Sequence, residues 1–135
     1  MRIVLDTNVL LSALMTRGTP PNLLYEMWRD HKFDLASCEL QLDEVRAVSR
    51  RDELRPRLTH SEVGTLVNLI RRLAIMVETL PKVIASPDPK DNYLLALAQA
   101  AKAELLVTGD KNHLLALRKH GSTRIITARQ AVQTL

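Results

Sequence analysis

Rings and thiols are scarce in this chain. Of its 135 residues only Trp28, Tyr25, Tyr93 and Phe33 are aromatic, which excludes the stacking platforms that RRM and OB folds use for single-stranded bases. A single cysteine, Cys38, excludes an internal disulfide and a cysteine-built zinc site, and reads as a small buried hydrophobe. No apolar run has the length of a membrane span. The apolar start is broken by Asp6 and Asn8, with neither cationic leader nor cleavage site, so a signal peptide is not expected and a cytoplasmic location is. No repeat, linker or low-complexity tract divides the sequence, and its length suits one domain over residues 1–135.

Present instead is a mild basic excess, Lys+Arg 19 against Asp+Glu 15, for a net charge of +4. That balance fits an anionic partner such as nucleic acid, resting on charge rather than stacking, and equally a merely soluble surface. With 46% hydrophobic and 25% charged residues, the chain has ordinary globular usage rather than a disordered signature.

Arg2 to Leu5 is a short β-rich run that reads as a central strand. Gly18-Thr19-Pro20-Pro21 punctuates the chain before a helix carrying Leu23, Leu24, Met27 and Trp28 at helical spacing. Phe33 to Ala36 reads as a second strand, with Ser37 capping a helix over 38–50. Thr59-His60-Ser61-Glu62 matches a capping box ahead of Val63, Leu66, Val67, Ile70 and Leu73, ending near Arg72 before the strand-like AIMVET. SPDPKDN breaks any helix and launches YLLALAQAAKA. Glu104 to Thr108 reads as a strand, Gly109-Asp110 as a turn, 111–119 as a helix, 124–126 as a strand, and a last helix follows, capped by Thr127. Strands and helices alternating in this way imply an α/β sandwich around a mainly parallel sheet.

Parallel sheets place ligand sites at the carboxyl ends of their strands, which makes acids directly after strands candidates. Asp6 follows RIVL and Asp110 follows LLVTG. Each could serve simply as a helix N-cap, but two acids at equivalent strand ends favour a shared site. Asp88 is well placed as an N-cap with Pro89 as first helical residue. Asp91 lies on the face of Leu95 and Ala98, at the tip of a helix that is apolar nearly all round, an odd place for an acid without a partner. On the 38–50 helix, Glu44 falls between Leu40 and Val48 on the apolar stripe, whereas Asp43 falls on the side of Arg46 and Arg50 as a solvated acid.

Four carboxylates brought together repel one another unless a cation joins them. Oxygen donors without clustered imidazole or thiolate suit Mg²⁺ or Mn²⁺ rather than zinc. His31, His60, His113 and His120 are scattered, although His113 is close to Asp110 in sequence. An acidic Mg²⁺ pocket has a recurrent use in activating water against a phosphodiester, and no serine or cysteine nucleophile with a local base competes with that reading. Arg46, Arg50 and Arg51, on or just past the Glu44 helix, are the candidates to hold a polyanion, with a solvated helix face as their ordinary alternative.

LDTNVLLSAL, the inward Glu of LDEVRAV, DPKDNYLLALA and LLVTGDKNHL resemble, in that order, the successive motifs of the PIN domain. The resemblance spans essentially the whole chain and is nearest to bacterial PIN proteins of toxin–antitoxin systems, related to VapC-like ribonucleases. It implies a three-layer α/β/α fold and a metal-dependent endoribonuclease with Mg²⁺ or Mn²⁺ held by Asp6, Glu44, Asp91 and Asp110. By the same resemblance Asn8 braces the site through hydrogen bonds. Asn112 occupies a position where many relatives carry another acid, which leaves any second metal weakly held. An RNA substrate, a cognate antitoxin covering the cleft and a homodimer are implied as well. A catalytically silent scaffold that binds RNA or protein stays open, as does a Mg²⁺-dependent phosphatase or receiver-like domain. The latter two lack support in the paired acids they usually carry, Asn8 standing where the phosphatase has its second Asp.

Overall fold

A computed structural model describes all 135 residues. Six strands form one sheet: β1 (Arg2–Leu5), β2 (Asp34–Ser37), β3 (Ile75–Met76), β4 (Leu105–Val107), β5 (Lys119–His120) and β6 (Thr123–Ile126). Their spatial order is β3-β2-β1-β4-β6-β5. All neighbouring pairs are parallel except β5 with β6, whose tight hairpin turns through Gly121 at a φ of 58°, a conformation glycine adopts freely.

Seven helices cover the sheet: α1 (Thr7–Met15), α2 (Pro20–Arg29), α3 (Glu39–Ser49), α4 (His60–Leu73), α5 (Asn92–Ala101), α6 (Leu114–Leu117) and α7 (Ala128–Thr134). Side chains alternate across a strand, and the core divides accordingly. Ile3, Leu5, Leu35, Leu105 and Val107 pack with Leu10 of α1, Leu24 of α2, Leu42 and Val45 of α3, Ile70 of α4 and Ala131 of α7. Val4, Ala36, Leu106 and Ile125 pack on the other side with Leu94, Leu95, Leu97 and Ala98 of α5 and Leu114 of α6. The protein is therefore a three-layer α/β/α sandwich with a mainly parallel central sheet. No helix is long and apolar enough to cross a membrane.

Several elements depart from expectation in instructive ways. The apolar periodicity does not announce α1, because Thr7, Val9, Leu10, Leu11 and Ala13 are all buried and a helix buried on several sides has no polar face to set a period. The second strand runs one residue later than 33–36. Its end residue Ser37 donates to Gln41 Oε1 at 2.6 Å instead of capping α3, whose N-cap is Cys38 with no side-chain bond. Of AIMVET only Ile75–Met76 pairs as strand. The helix expected over 111–119 shrinks to α6: the Asp110 carboxylate accepts from the Asn112 and His113 N–H groups, a local turn that competes with helix, and Arg118 leaves the helical region at a φ of 62°. Thr59 and Glu62 form the anticipated capping box on α4, and Thr127 caps α7.

The chain lays down β1, β2 and β3 outward on one side, then returns to place β4 on the other side of β1. That reversal is a topological switch point, and the crevice it opens lies at the carboxyl ends of β1 and β4. Leu5 pairs with Val107 there.

Candidate metal centre

Asp6 follows Leu5 directly, and its N–H continues the ladder by donating to the Val107 carbonyl at 2.9 Å. It is also the N-cap of α1, accepting from the Asn8 N–H at 3.3 Å. Both readings of this acid hold at once, since one carboxylate oxygen serves the helix while the other serves the site. Asp6 is only 8% exposed. Its Oδ2 accepts a 2.7 Å bond from the Thr108 hydroxyl, and the same hydroxyl oxygen accepts from the Asp110 N–H at 3.1 Å. One threonine at the end of β4 thus ties together the acids that follow the two central strands.

Glu44 on α3 is half-buried. The Thr7 and Tyr93 hydroxyls both donate to its Oε1, and those two hydroxyls lie 3.3 Å apart. Leu40, expected beside it on the apolar stripe, is 56% exposed; the buried face of α3 is Gln41, Leu42, Val45, Val48 and Ser49. Asp43 is solvated and faces Arg46 at 3.8 Å.

Asp88 begins a 3-10 turn, Pro89–Asp91, and accepts from the Lys90 N–H at 3.0 Å. The turn delivers Asp91 to the tip of α5. Asp91 Oδ2 is buried and has no hydrogen-bond partner. Asp110 is held by His113, whose Nδ1 lies 3.0 Å from Oδ2. A carboxylate only accepts, so in the neutral ring that contact places the proton on Nδ1 and leaves the Nε2 lone pair free.

These groups surround a cavity of about 530 Å³. Asp6, Glu44, Asp91 and Asp110, the four acids anticipated from sequence, all line it, with Asp88 as a fifth. The cations on its wall are Arg51 and Lys90. Asn8 lines it too, while Asn112 is exposed and contributes its backbone N–H to Asp110. Arg46 and Arg50 stand outside it, on the walls of separate cavities.

The clustering perturbs titration. Burial pushes the Asp6 carboxyl above its ordinary range, and the Glu44 and Asp110 charges add to the push, against the bonds from Thr108 and Asn8. Asp91 is pushed up to about 7, by burial first and then by the Asp110, Asp6 and Asp88 carboxylates. At Asp110 burial, which would raise the value, is outweighed by His113 and Asp91, so this carboxyl is held below the usual range. Burial and the bond to Glu44 raise the Tyr93 phenol, which keeps its proton.

An unpartnered buried carboxylate oxygen amid four further acids is the environment a cation completes. The donors are oxygens, with one imidazole nitrogen in reach: ligand atoms of Asp88, Asp91 and His113 all lie within 4.8 Å of one another. Such a set fits a hard divalent ion, and the sole thiol, Cys38, lines a different cavity. Of the four anticipated acids only Asp91 belongs to this converging group, with Asp88 and His113; Asp6, Glu44 and Asp110 line the same cavity outside it. The signal of Asp88 and His113 in the sequence was present, as a second acid one 3-10 turn before Asp91 and an imidazole three residues after Asp110. Thr7, Tyr93 and Thr108 carried no such signal, because a hydroxyl's role depends on what faces it.

The fold and this acidic crevice define a class of protein. The PIN domain family model matches residues 2–112, and the chain belongs to that family. Its fold is similar to that of a chain in the crystal structure of VapBC2 from Rickettsia felis bound to a DNA fragment from their promoter, with a TM-score of 0.59 and 13% sequence identity over 94% of this chain and 98% of that one. Among curated proteins none matches.

Proposed function

We propose that this PIN domain, one folding unit over residues 1–135, is a metal-dependent endoribonuclease. The observation that carries the reading is the bridge from the Asp6 carboxylate through the Thr108 hydroxyl to the Asp110 backbone N–H at the switch point, in the cavity that the Asp91 side chain, with its orphaned oxygen, also lines. Asp6, Glu44, Asp91 and Asp110 would hold Mg²⁺ or Mn²⁺, and Asp88 and His113 extend the donor set. A divalent ion there supplies positive charge against the developing charge of a phosphodiester and lowers the pKa of bound water.

The chain's own residues do the rest. Thr7 and Tyr93 orient Glu44, and Thr108 orients Asp6. The Thr7 hydroxyl is spent on Glu44, so it is not a free nucleophile, which favours water as the attacking group. Arg51 and Lys90, on the wall of an otherwise acidic cavity, receive the phosphate, with Arg46 and Arg50, which line neighbouring hollows, as additional RNA contacts. Asn8 and Asn112 support the site through their N–H bonds to Asp6 and Asp110. The likeness in fold to a VapBC2 chain supports a toxin subunit with a cognate antitoxin; an antitoxin seated over the cleft, a cytoplasmic location and a homodimer are further parts of the proposal.

The test is cleavage of a panel of labelled single-stranded and structured RNAs with Mn²⁺, Mg²⁺ or EDTA, with Asp6→Asn protein alongside. Products that need metal and vanish in the variant support the reading. Equal products from both proteins, or products that persist in EDTA, overturn it.

A further inference from the structure

The end of α3 separates two cavities of opposite character. Val48 and Arg51 face the acidic one. Ser49 and Arg50 face a second, of about 360 Å³, closed by Arg55 of the 3-10 turn Arg55–Arg57 and by Thr59 and His60 at the start of α4. A smaller cavity of about 90 Å³ continues it toward Arg46. No carboxylate lines either of them.

The charge here is concentrated. Between residues 46 and 57 stand five arginines against two acids, so this short stretch carries three of the chain's four net positive charges. Its two acids, Asp52 and Glu53, and the flanking Asp43 and Glu62 do not neutralise it, and Glu53 makes no ion pair. Asp52 reaches Arg55 only at 3.9 Å with both side chains largely in solvent, a pair of little strength. Glu62 is turned back onto Thr59 as the capping acid, and Asp43 faces Arg46 at 3.8 Å. Arg50 has no ion-pair partner. Guanidinium forks and an imidazole around one hollow make a donor set suited to phosphate oxygens, while the Ser49 and Thr59 hydroxyls are taken up by the Arg46 carbonyl and the Glu62 carboxylate.

We infer that this second cavity binds a backbone phosphate of the same nucleic-acid strand whose scissile bond lies in the acidic cavity. The inference rests on the nuclease reading for its strand and adds the path. One helix, about 10 Å across, separates the two hollows, a span short against an oligonucleotide. Arg51 on one flank of α3 and Arg50 on the other then guide the strand over its end. The acidic cavity repels phosphate on its own, so the affinity for a polyanion has to come from flanking contacts such as these.

The test measures binding of a labelled single-stranded RNA of mixed sequence to full-length Asp6→Asn protein across a salt series. Replacing both Arg50 and Arg55 by Ala should weaken binding at least tenfold and make the plot of log affinity against log salt shallower by about 1.4, two phosphate contacts on a single strand. Arg55→Gln alone should account for about half of that change in slope, which keeps the result readable if the double variant folds poorly. The Lys pair should retain the slope, and Arg29→Ala at the end of α2 should change nothing. An unaltered slope in the Ala pair, or no RNA binding by the parent, overturns the inference. A second arm follows the His60 ring by NMR with inorganic phosphate. Phosphate binding there without any change in the RNA slope marks an anion pocket off the strand path and also overturns it. RNA bound with the expected slopes by a chain that never cleaves sinks the nuclease reading alone, whereas cleavage with unaltered slopes sinks the subsite alone.

Discussion

Tyr93 on α5 donates its hydroxyl to Glu44 on α3, although the two helices pack on opposite faces of the sheet. The bond passes across the carboxyl edge of the strands and joins the acid of one layer to the helix that carries Asp91 in the other. Thr7, at the start of α1, donates to the same oxygen. Glu44 is therefore held from two directions by groups far from it in sequence.

Tyr93→Phe removes one of these donors without changing the packing of the ring. A hydrogen bond to a charged group contributes about 1.5–3 kcal/mol, so cleavage should fall roughly tenfold or more if that bond serves the transition state. Metal titration of the variant should show weaker binding in parallel, and chemical denaturation a loss of stability of up to about 3 kcal/mol. Undiminished cleavage would show that Thr7 alone orients Glu44.

Thr108→Val keeps the shape of the side chain and deletes both of its bonds. Asp6 Oδ2 loses its donor and the Asp110 N–H its acceptor, each a group costly to leave unpaired when buried. The expected outcome is a destabilisation of about 1–3 kcal/mol by chemical denaturation, with the Asp6 carboxyl raised further because that bond now lowers it. A variant as stable and active as the parent would remove Thr108 from the site.

The metal-free protein should lose stability as pH rises between about 4 and about 7. In the unfolded chain Asp91 ionises near the ordinary value of 3.8, whereas in the folded chain it keeps its proton to about 7. The folded state thus binds more protons in that window, and stability falls through it. Asp6, also raised, acts in the same direction, and Asp110, held low, acts oppositely in the more acid range. Melting temperatures in EDTA across this window should decline, and Mn²⁺ or Asp91→Asn should flatten the decline. A rising profile in EDTA contradicts the assignment.

Asp43 and Glu44 are neighbours with different surroundings, the first with 72% of its side chain in solvent and the second bonded to two hydroxyls. Asp43→Asn should cleave RNA at nearly the parental rate, and Glu44→Gln should lose activity by at least a hundredfold. Equal losses would place Asp43 in the chemistry.

The local elements were largely legible in the residues. Caps at Thr59 and Thr127, the break at Asp88-Pro89 and the apolar spacing of α2 and α4 act within a few positions of themselves, so periodicity and turn chemistry reveal them. α1 escaped because burial on several sides erased its period, and α6 shrank because the Asp110 side chain bonds the backbone that a longer helix would have used.

The acids themselves were visible as charges in places where an apolar core would not hold them unaided. The sequence by itself determined a mainly parallel α/β chain with Asp6 and Asp110 following strands, Asp91 leading an apolar helix and Glu44 on an inward helix face. Only the tertiary structure decided that β1 and β4 lie side by side, so that Thr108 bridges acids 104 residues apart. It also decided that Tyr93 meets Glu44, that Asp88 and His113 stand together, and that Arg50 and Arg51 part to opposite flanks of α3. The physical reason is range: propensity and capping act along a few residues, whereas strand order and the bonds across a crevice arise only once the whole sheet has formed.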